Sequence, residues 1–326
     1  MKATAICESN IALIKYWGNR NDELRLPMTN SISFTLDRAY TTTTIEFRDD
    51  LARDVIELDG APTTGPAADR ISKHLDLIRA LARTTQQACV VSRNNFPMGA
   101  GIASSASGFA ALTCAAAWAL ELNLSEHALS RWARRGSGSA ARSLGGGFVE
   151  WYASDDDAES YAAQIAPAAH WPLCDLIAIV THGKKLVGST EGHQLAHTSS
   201  LYHGRLVQVE EDVSFMRHAI LTKDFELLGE LAEADALSMH AVMMTSRPSL
   251  LYWSPETVAI LHAVRQWRKE GLACYFTIDA GPNVHVITTP AAADAVANNL
   301  RQLQGVRDVI ECGVGRGARR VEQHLF

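Results

Sequence analysis

The chain has 326 residues, with 30 Lys and Arg against 36 Asp and Glu, a formal charge of −6. Its 47% hydrophobic and 20% charged fractions fit a globular protein with a sizeable core and exclude a disordered or collagen-like chain. A weak acid excess speaks against nucleic-acid binding, which needs a basic face, and no apolar run, the one at residues 176–180 included, approaches the roughly 20 residues of a membrane-spanning helix. Glu8 and Asn10 interrupt the start of the chain where a signal peptide needs unbroken apolar residues, so a cytoplasmic protein is expected. Six cysteines without a CxxC pair read as reduced core residues.

In chain order, residues 31–36 and 41–47 alternate with a period of two and predict strands, with Asp37-Arg38-Ala39-Tyr40 as the link. A short strand over 54–58 ends at Asp59-Gly60, and a turn-rich loop follows to Pro66. Ile71, Leu75, Ile78 and Leu81 mark one face of a helix over 66–83. A strand over 89–92 leads to a Gly/Ala/Ser loop and an alanine-dense helix over 106–120, with Ser104 or Ser105 as its N-cap. A helix over 125–135 runs into two glycine-rich loops. Asp155-Asp156-Asp157 reads as a solvated turn, and a domain boundary is placed near residue 170. Beyond it come a strand over 175–180, helices over 200–221, 225–244 and 255–269, strands over 273–278 and 284–287, a helix over 290–303 and a strand near Val309. This is an α+β layout.

Four segments carry candidate chemistry. The loop from Pro97 through Ser105 opens a helix, and its glycines together with the unpaired N–H groups of the helix start suit a phosphate, although such a loop also serves tight packing alone. Arg134, Arg135 and Arg142 surround Gly136-Ser137-Gly138-Ser139, a setting for an anionic substrate or for plain surface arginines. Asp279-Ala280-Gly281-Pro282 places a carboxylate at a strand end, or is a simple turn. Lys15 interrupts an apolar stretch, either snorkelling at an edge or held near an anion. The histidines show no HExxH or compact Cys/His spacing, so no protein-bound transition metal is expected, and Trp253 and Trp267 read as core.

Taken together, residues 10–18 (NIALIKYWG), 94–106, 135–142 with 146–151, 238–241 and 279–283 resemble the diphosphomevalonate decarboxylase branch of the GHMP kinase superfamily. The resemblance implies a GHMP kinase fold: an ATP-binding domain over 1–170 like domain 2 of ribosomal protein S5, a ferredoxin-like domain over 171–326, and a cleft between them. It also implies ATP and Mg²⁺, a phosphorylated mevalonate as substrate, and a homodimer. By the same resemblance, Asp279 orients the 3-hydroxyl or takes its proton, Arg142 grips the carboxylate and Lys15 lies beside both. Met98, Gly99, Ala100, Gly101, Ala103, Ser104 and Ser105 hold the ATP phosphates, and Tyr16, Asn19, Ser137, Gly138, Ser139, Ser189, Thr190 and His193 line the substrate. The presence of both Lys15 and Asp279 favours a decarboxylase over a kinase of the same superfamily that does not decarboxylate, and over a non-catalytic scaffold.

Two positions depart from the pattern. Asn19 stands where the diphosphate-using enzymes carry a lysine, and His193 where a methionine is common. Fewer cations suit less phosphate charge, so the expected substrate is 5-phosphomevalonate and the product isopentenyl phosphate. The alternative is the diphosphate, with Lys184, Lys185 and Arg70 replacing the lost charge. Lys15, Arg135 and Arg142 are expected to meet at one cleft.

Overall fold

The computed structural model describes residues 1–96, 104–181 and 188–326. The chain opens with a long strand, β1 (Lys2–Ile14), followed by the small hairpin β2 (Asn19–Asn21) and β3 (Leu26–Pro27). Next is β4 (Ser31–Arg48), one continuous strand where two and a link were expected. Its pairing with β1 shifts register between Glu8↔Tyr40 and Asn10↔Thr35, so Asp37 and Arg38 form an exposed bulge rather than a turn. The Asp37 carboxylate is used there, accepting the Gly313 N–H at 2.6 Å.

β5 (Val55–Leu58), α1 (Pro66–Ala82) and β7 (Gln87–Asn94) follow the predicted order, and β6 (Ala61–Pro62), a two-residue strand paired with β5, lies where a loop was expected. Pro66 starts α1 because its missing N–H has no partner in a first turn anyway. In α2 (Ser104–Ala119) the two serines are the first helical residues rather than the cap. The alanines of α2 pack without bulk against Ala3, Ala5 and Cys7 of β1, which brings helix and sheet close together. α3 (Glu126–Gly136) is capped by the Ser125 hydroxyl, which accepts the Ala128 N–H at 3.2 Å. A 3₁₀ turn over Gly138–Ser143 leads to β8 (Phe148–Trp151) and β9 (Ala162–Ala166). Asp157 is no solvated turn residue: its carboxylate binds Arg131 at 3.0 Å and the fully buried Arg134.

The second half begins with β10 (Cys174–Ile179), α4 (Ser189–Leu195), α5 (Tyr202–Thr222), α6 (Phe225–Thr245) and α7 (Pro255–Lys269). Then come β11 (Cys274–Thr277), β12 (Val284–Thr288), α8 (Pro290–Gln302), β13 (Asp308–Gly313) and β14 (Arg319–Val321). An eight-stranded sheet has the order β14-β1-β4-β7-β5-β6, with β8 and β9 added at β4. The other large sheet is antiparallel, β11-β12-β10-β13. β14 returns the chain to the first sheet, pairing Thr4↔Val321. The two halves share a core in which Ile11, Leu13 and Phe34 meet Ile177, Val213 and Met216. Trp253 and Trp267 lie partly buried against the second half's own core, as expected. Among the described residues no helix is long and apolar enough to cross a membrane.

Candidate functional site

Where β1 ends, its sheet partner also ends at Ile14↔Ile32, and the next residues turn into the seam between the halves. A cavity of about 160 Å³ opens there. From the first half come Lys15, Tyr16, Trp17 and Arg25, the start of α2 at Ser104 and Ser105, and the turn residues Ser137, Gly138, Ser139 and Arg142. The second half contributes Ser189, Thr190 and His193 of α4, Met239 of α6, and Asp279 with Ala280 just beyond β11.

Lys15 is buried and paired: its Nζ donates to Asp279 Oδ1 and to the Ala12 carbonyl, both at 2.7 Å. Arg142 differs. Its Nη1 donates to Ser31 Oγ at 2.6 Å, whereas its buried Nε has no partner. Burial lowers the Arg142 guanidinium to about 10, opposed by the charge of Asp279. A guanidinium still unsaturated in a dry site is a receptor for a carboxylate or phosphate.

Hydroxyls line the path between α2 and the 3₁₀ turn, with Ser105 Oγ 3.1 Å from Ser137 Oγ and Ser137 Oγ 3.4 Å from Ser139 Oγ. Gly138 permits this approach, since a Cβ there would lie 2.5 Å from the Tyr16 ring. His193 stacks on Tyr16 with centroids 4.1 Å apart and on Trp17 at 4.6 Å. Its Nδ1 accepts the Gly18 N–H at 2.9 Å, so the ring proton resides on Nε2. Burial, reinforced by Arg25 and Arg142, holds His193 near 3 and therefore neutral. His240 of α6 is likewise held near 3, by burial first and then by Lys15, and its Nε2 donates to the Asp279 carbonyl at 3.2 Å.

Two sequence expectations are redrawn. Asn19 does not line the cavity: its Oδ1 accepts the Tyr16 hydroxyl, and its amide donates to Asp22 Oδ1 at 2.7 Å. Nor does Arg135 join Lys15 and Arg142. It borders a neighbouring cavity of about 600 Å³ with Arg25, Arg70 and Lys73, while Arg134 is tied up beneath the surface by Asp157 and the Ser160 carbonyl. Met98, Gly99, Ala100, Gly101, Ala103, Lys184 and Lys185 lie outside the described residues.

Sequence reasoning missed Arg25, which borders both cavities. Within Asp22-Glu23-Leu24-Arg25 it looks like one more surface charge, and nothing in the pattern announces its positive φ of 52°.

Comparison with known proteins places this geometry. Residues 7–162 match the model of the diphosphomevalonate decarboxylase-like N-terminal domain, and residues 175–322 that of the mevalonate 5-diphosphate decarboxylase C-terminal domain. The chain belongs to the diphosphomevalonate decarboxylase family. As a member of that family it is an ATP-dependent decarboxylase with the GHMP kinase fold in two domains. A phosphomevalonate decarboxylase from Haloferax volcanii is 35% identical, the match covering 96% of this chain and 94% of the relative. A solved complex of MDDEF with MVAPP, AMPPCP and magnesium superposes with a TM-score of 0.93 at 42% identity over 99% of each chain. The mevalonate diphosphate decarboxylase from Staphylococcus aureus gives 0.94 at 37% identity over 98% of each.

Proposed function

We propose that the chain converts 5-phosphomevalonate, with ATP, into isopentenyl phosphate, ADP, phosphate and CO2. The observation that carries this choice of substrate is Asn19. Its neutral amide lies one hydrogen bond behind the cavity wall, on the Tyr16 hydroxyl and the Asp22 carboxylate, and brings no positive charge there to hold a second phosphate. Among the described residues the cations bordering the cavity are Lys15, already paired with Asp279, and Arg25 and Arg142. Arg142, bound to Ser31, and Arg25, bound to the Arg135 carbonyl, have no carboxylate partner among the described residues, and two such guanidiniums suit one carboxylate and one phosphate.

In this reading the substrate carboxylate takes the open edge of Arg142, and the 3-hydroxyl lies against Asp279. The hydroxyl oxygen attacks the γ-phosphorus, the bond to ADP breaks, and the hydroxyl proton passes to, or is shared with, the Asp279 carboxylate. Lys15, paired with that carboxylate, keeps it aimed. The C3–O bond then breaks with phosphate as the leaving group, and the C1–C2 electron pair closes the C2–C3 double bond as CO2 departs. Catalysis of the first step is mainly positioning and charge neutralisation.

The ATP phosphates fall to the start of α2, where unpaired N–H groups and the Ser104 and Ser105 hydroxyls gather at the positive end of the helix dipole. An apolar cavity of about 240 Å³ adjoins those serines and is walled by Ile71, Val90, Phe109 and Leu112, a setting for the purine. Among the described residues no three His, Cys, Asp or Glu side chains gather as a metal cage. That donor set fits a Mg²⁺ that arrives on the nucleotide phosphates, with Ser104 and Ser105 as its nearest hydroxyls. When bound, Mg²⁺ neutralises charge on the transferring phosphoryl group.

A second reading, the diphosphate as substrate, is favoured by the neighbouring basic cavity, because Arg25 joins it to the main one and Arg70, Lys73 and Arg135 add positive charge. Steady-state kinetics with both substrates separates the two readings. We expect kcat/KM for the monophosphate to exceed that for the diphosphate, with ADP, phosphate and CO2 released in equal amounts. A ratio of one or below reverses the assignment, and ADP without CO2 makes the protein a kinase. Asn19→Lys is expected to move the ratio toward the diphosphate, and an unmoved ratio removes Asn19 as the selector.

A further inference from the structure

Lys15 leaves β1 with its main-chain N–H and C=O outside the sheet, and buried main-chain groups need partners. Both partners are charged side chains from the other half of the chain. The Lys15 N–H donates to Asp235 Oδ2 at 2.7 Å, and the Lys15 carbonyl accepts from Arg205 Nη2 at 3.3 Å. Asp235 lies on α6 and Arg205 on α5, and both side chains are almost wholly buried. They face each other with Arg205 Nη2 3.0 Å from Asp235 Oδ1, and Arg205 Nη1 also donates to the Asp235 carbonyl at 3.1 Å. Neither residue borders the substrate cavity.

A buried ion pair is weak evidence for stability, since desolvation cancels much of its attraction and apolar residues of similar size often serve as well. Here the pair does something an apolar pair cannot do, which is to fix the direction of one peptide segment through both its donor and its acceptor. That segment carries the ammonium that meets Asp279. The backbone of Lys15 is thus set by the same half that supplies its side-chain partner, although Lys15 itself belongs to the first half.

We propose that Arg205 and Asp235 are positioning residues for the decarboxylase reaction, clamping the main chain of Lys15 so that its ammonium stays in register with Asp279. The proposal rests on the reading of Lys15 and Asp279 given above. A clamp of this kind governs turnover and leaves substrate capture to Arg142 and the serine-lined turn.

The test is a double-mutant cycle. Arg205→Met combined with Asp235→Leu keeps volume and removes the clamp. We expect kcat to fall roughly 30-fold, KM for the phosphorylated acid and for ATP to stay within about threefold, and the melting temperature to move by only a few degrees. Placed on Lys15→Ala, the same pair is expected to cost less than about threefold more, because the group it positions is already gone. An unchanged kcat, a rise in KM alone, or an equal loss in both backgrounds overturns the proposal. If Lys15→Ala by itself turns over normally, the catalytic reading of Lys15 fails, and the clamp fails with it. Should the paired variant not fold, Asp235→Asn carries the test. It keeps one acceptor oxygen for the Lys15 N–H, and its expected loss of about tenfold in kcat must again vanish on Lys15→Ala, additivity being the refuting result.

Discussion

Two buried cations border one cavity, and they are solvated by the protein in opposite ways. Lys15 has its ammonium on Asp279 and the Ala12 carbonyl, and its peptide groups are held by Asp235 and Arg205. Arg142 is left with one hydroxyl partner and an orphaned Nε. Leaving a buried donor unmade costs the full desolvation of that group, so an enclosed guanidinium with an open edge is tolerable where a ligand completes it. The cation paired with a carboxylate is a tool held in place, and the one with an open edge is a socket. In the proposed reaction this separates the group that manages the 3-hydroxyl from the group that captures the acid.

The largest test of that contrast removes the carboxylate partner of Lys15. Asp279→Ala is expected to cut kcat by about 10²–10⁴-fold while ATP affinity, measured by calorimetry, stays nearly constant. Retained turnover would make the Lys15–Asp279 pair a purely structural bond.

Next in size is the response to acid. His240 lies beside Lys15 and His193 beside Arg142, and His74 is buried under α2, where its Nε2 lies 2.8 Å from Thr113 Oγ1. Burial holds all three near 3 against an ordinary value of 6.5. Above pH 6.5 they are neutral in both states and cost nothing. As pH falls below 6.5 the unfolded chain takes up protons that the folded chain refuses, so stability drops, by about 4 kcal/mol per pH unit once all three differ. Urea unfolding at pH 7 and pH 5 reads the slope, and His240→Gln is expected to reduce it by roughly a third. A slope unaffected by the substitution would show that His240 is charged in the fold.

Smaller still is Arg142→Gln, which removes the socket and keeps the cavity shape. KM for the phosphorylated acid is expected to rise about 100-fold, with KM for ATP little changed, as loss of a bidentate charged contact implies. Equal effects on both substrates would place Arg142 elsewhere in the mechanism. At the low end, Ser31→Ala deletes the single hydroxyl partner of that guanidinium, and about fivefold in the same KM is expected. No change at all would mean that packing alone aims the arginine.

The same contrast explains what could be read from the sequence. Segments with one buried face were legible: α1, α7 and α8 follow their apolar periodicity, and their starts coincide with prolines and caps such as the Ser254–Thr257 box. β1 was not legible, because it is covered along nearly its whole length. Ala3, Ala5 and Cys7 pack under α2, whereas Ile11 and Leu13 enter the core shared by the halves, so no single alternation spans the strand. At the site, Lys15, Ser137, Ser139, Arg142, His193 and Asp279, all inside compact motifs, are brought by the fold to one cavity. Their supports could not be seen. Asp235 and Arg205 look like ordinary helix charges until topology brings α5 and α6 to the end of β1, and Asn19 points to its own hairpin rather than to the cavity. A motif reports what touches the chemistry. It is silent about distant residues that hold the motif still.

β14 gives the two halves a constraint of another kind. The chain passes from the first sheet to the second between β9 and β10, and it passes back between β13 and β14, where Arg319 also reaches Glu8 at 2.8 Å. Two covalent crossings leave fewer relative motions than one: the halves can rock about the line joining the crossings, but they cannot swivel as beads on a single thread. A fragment cut between β9 and β10 would take β1 without its edge partner, so the first half is not a separable module.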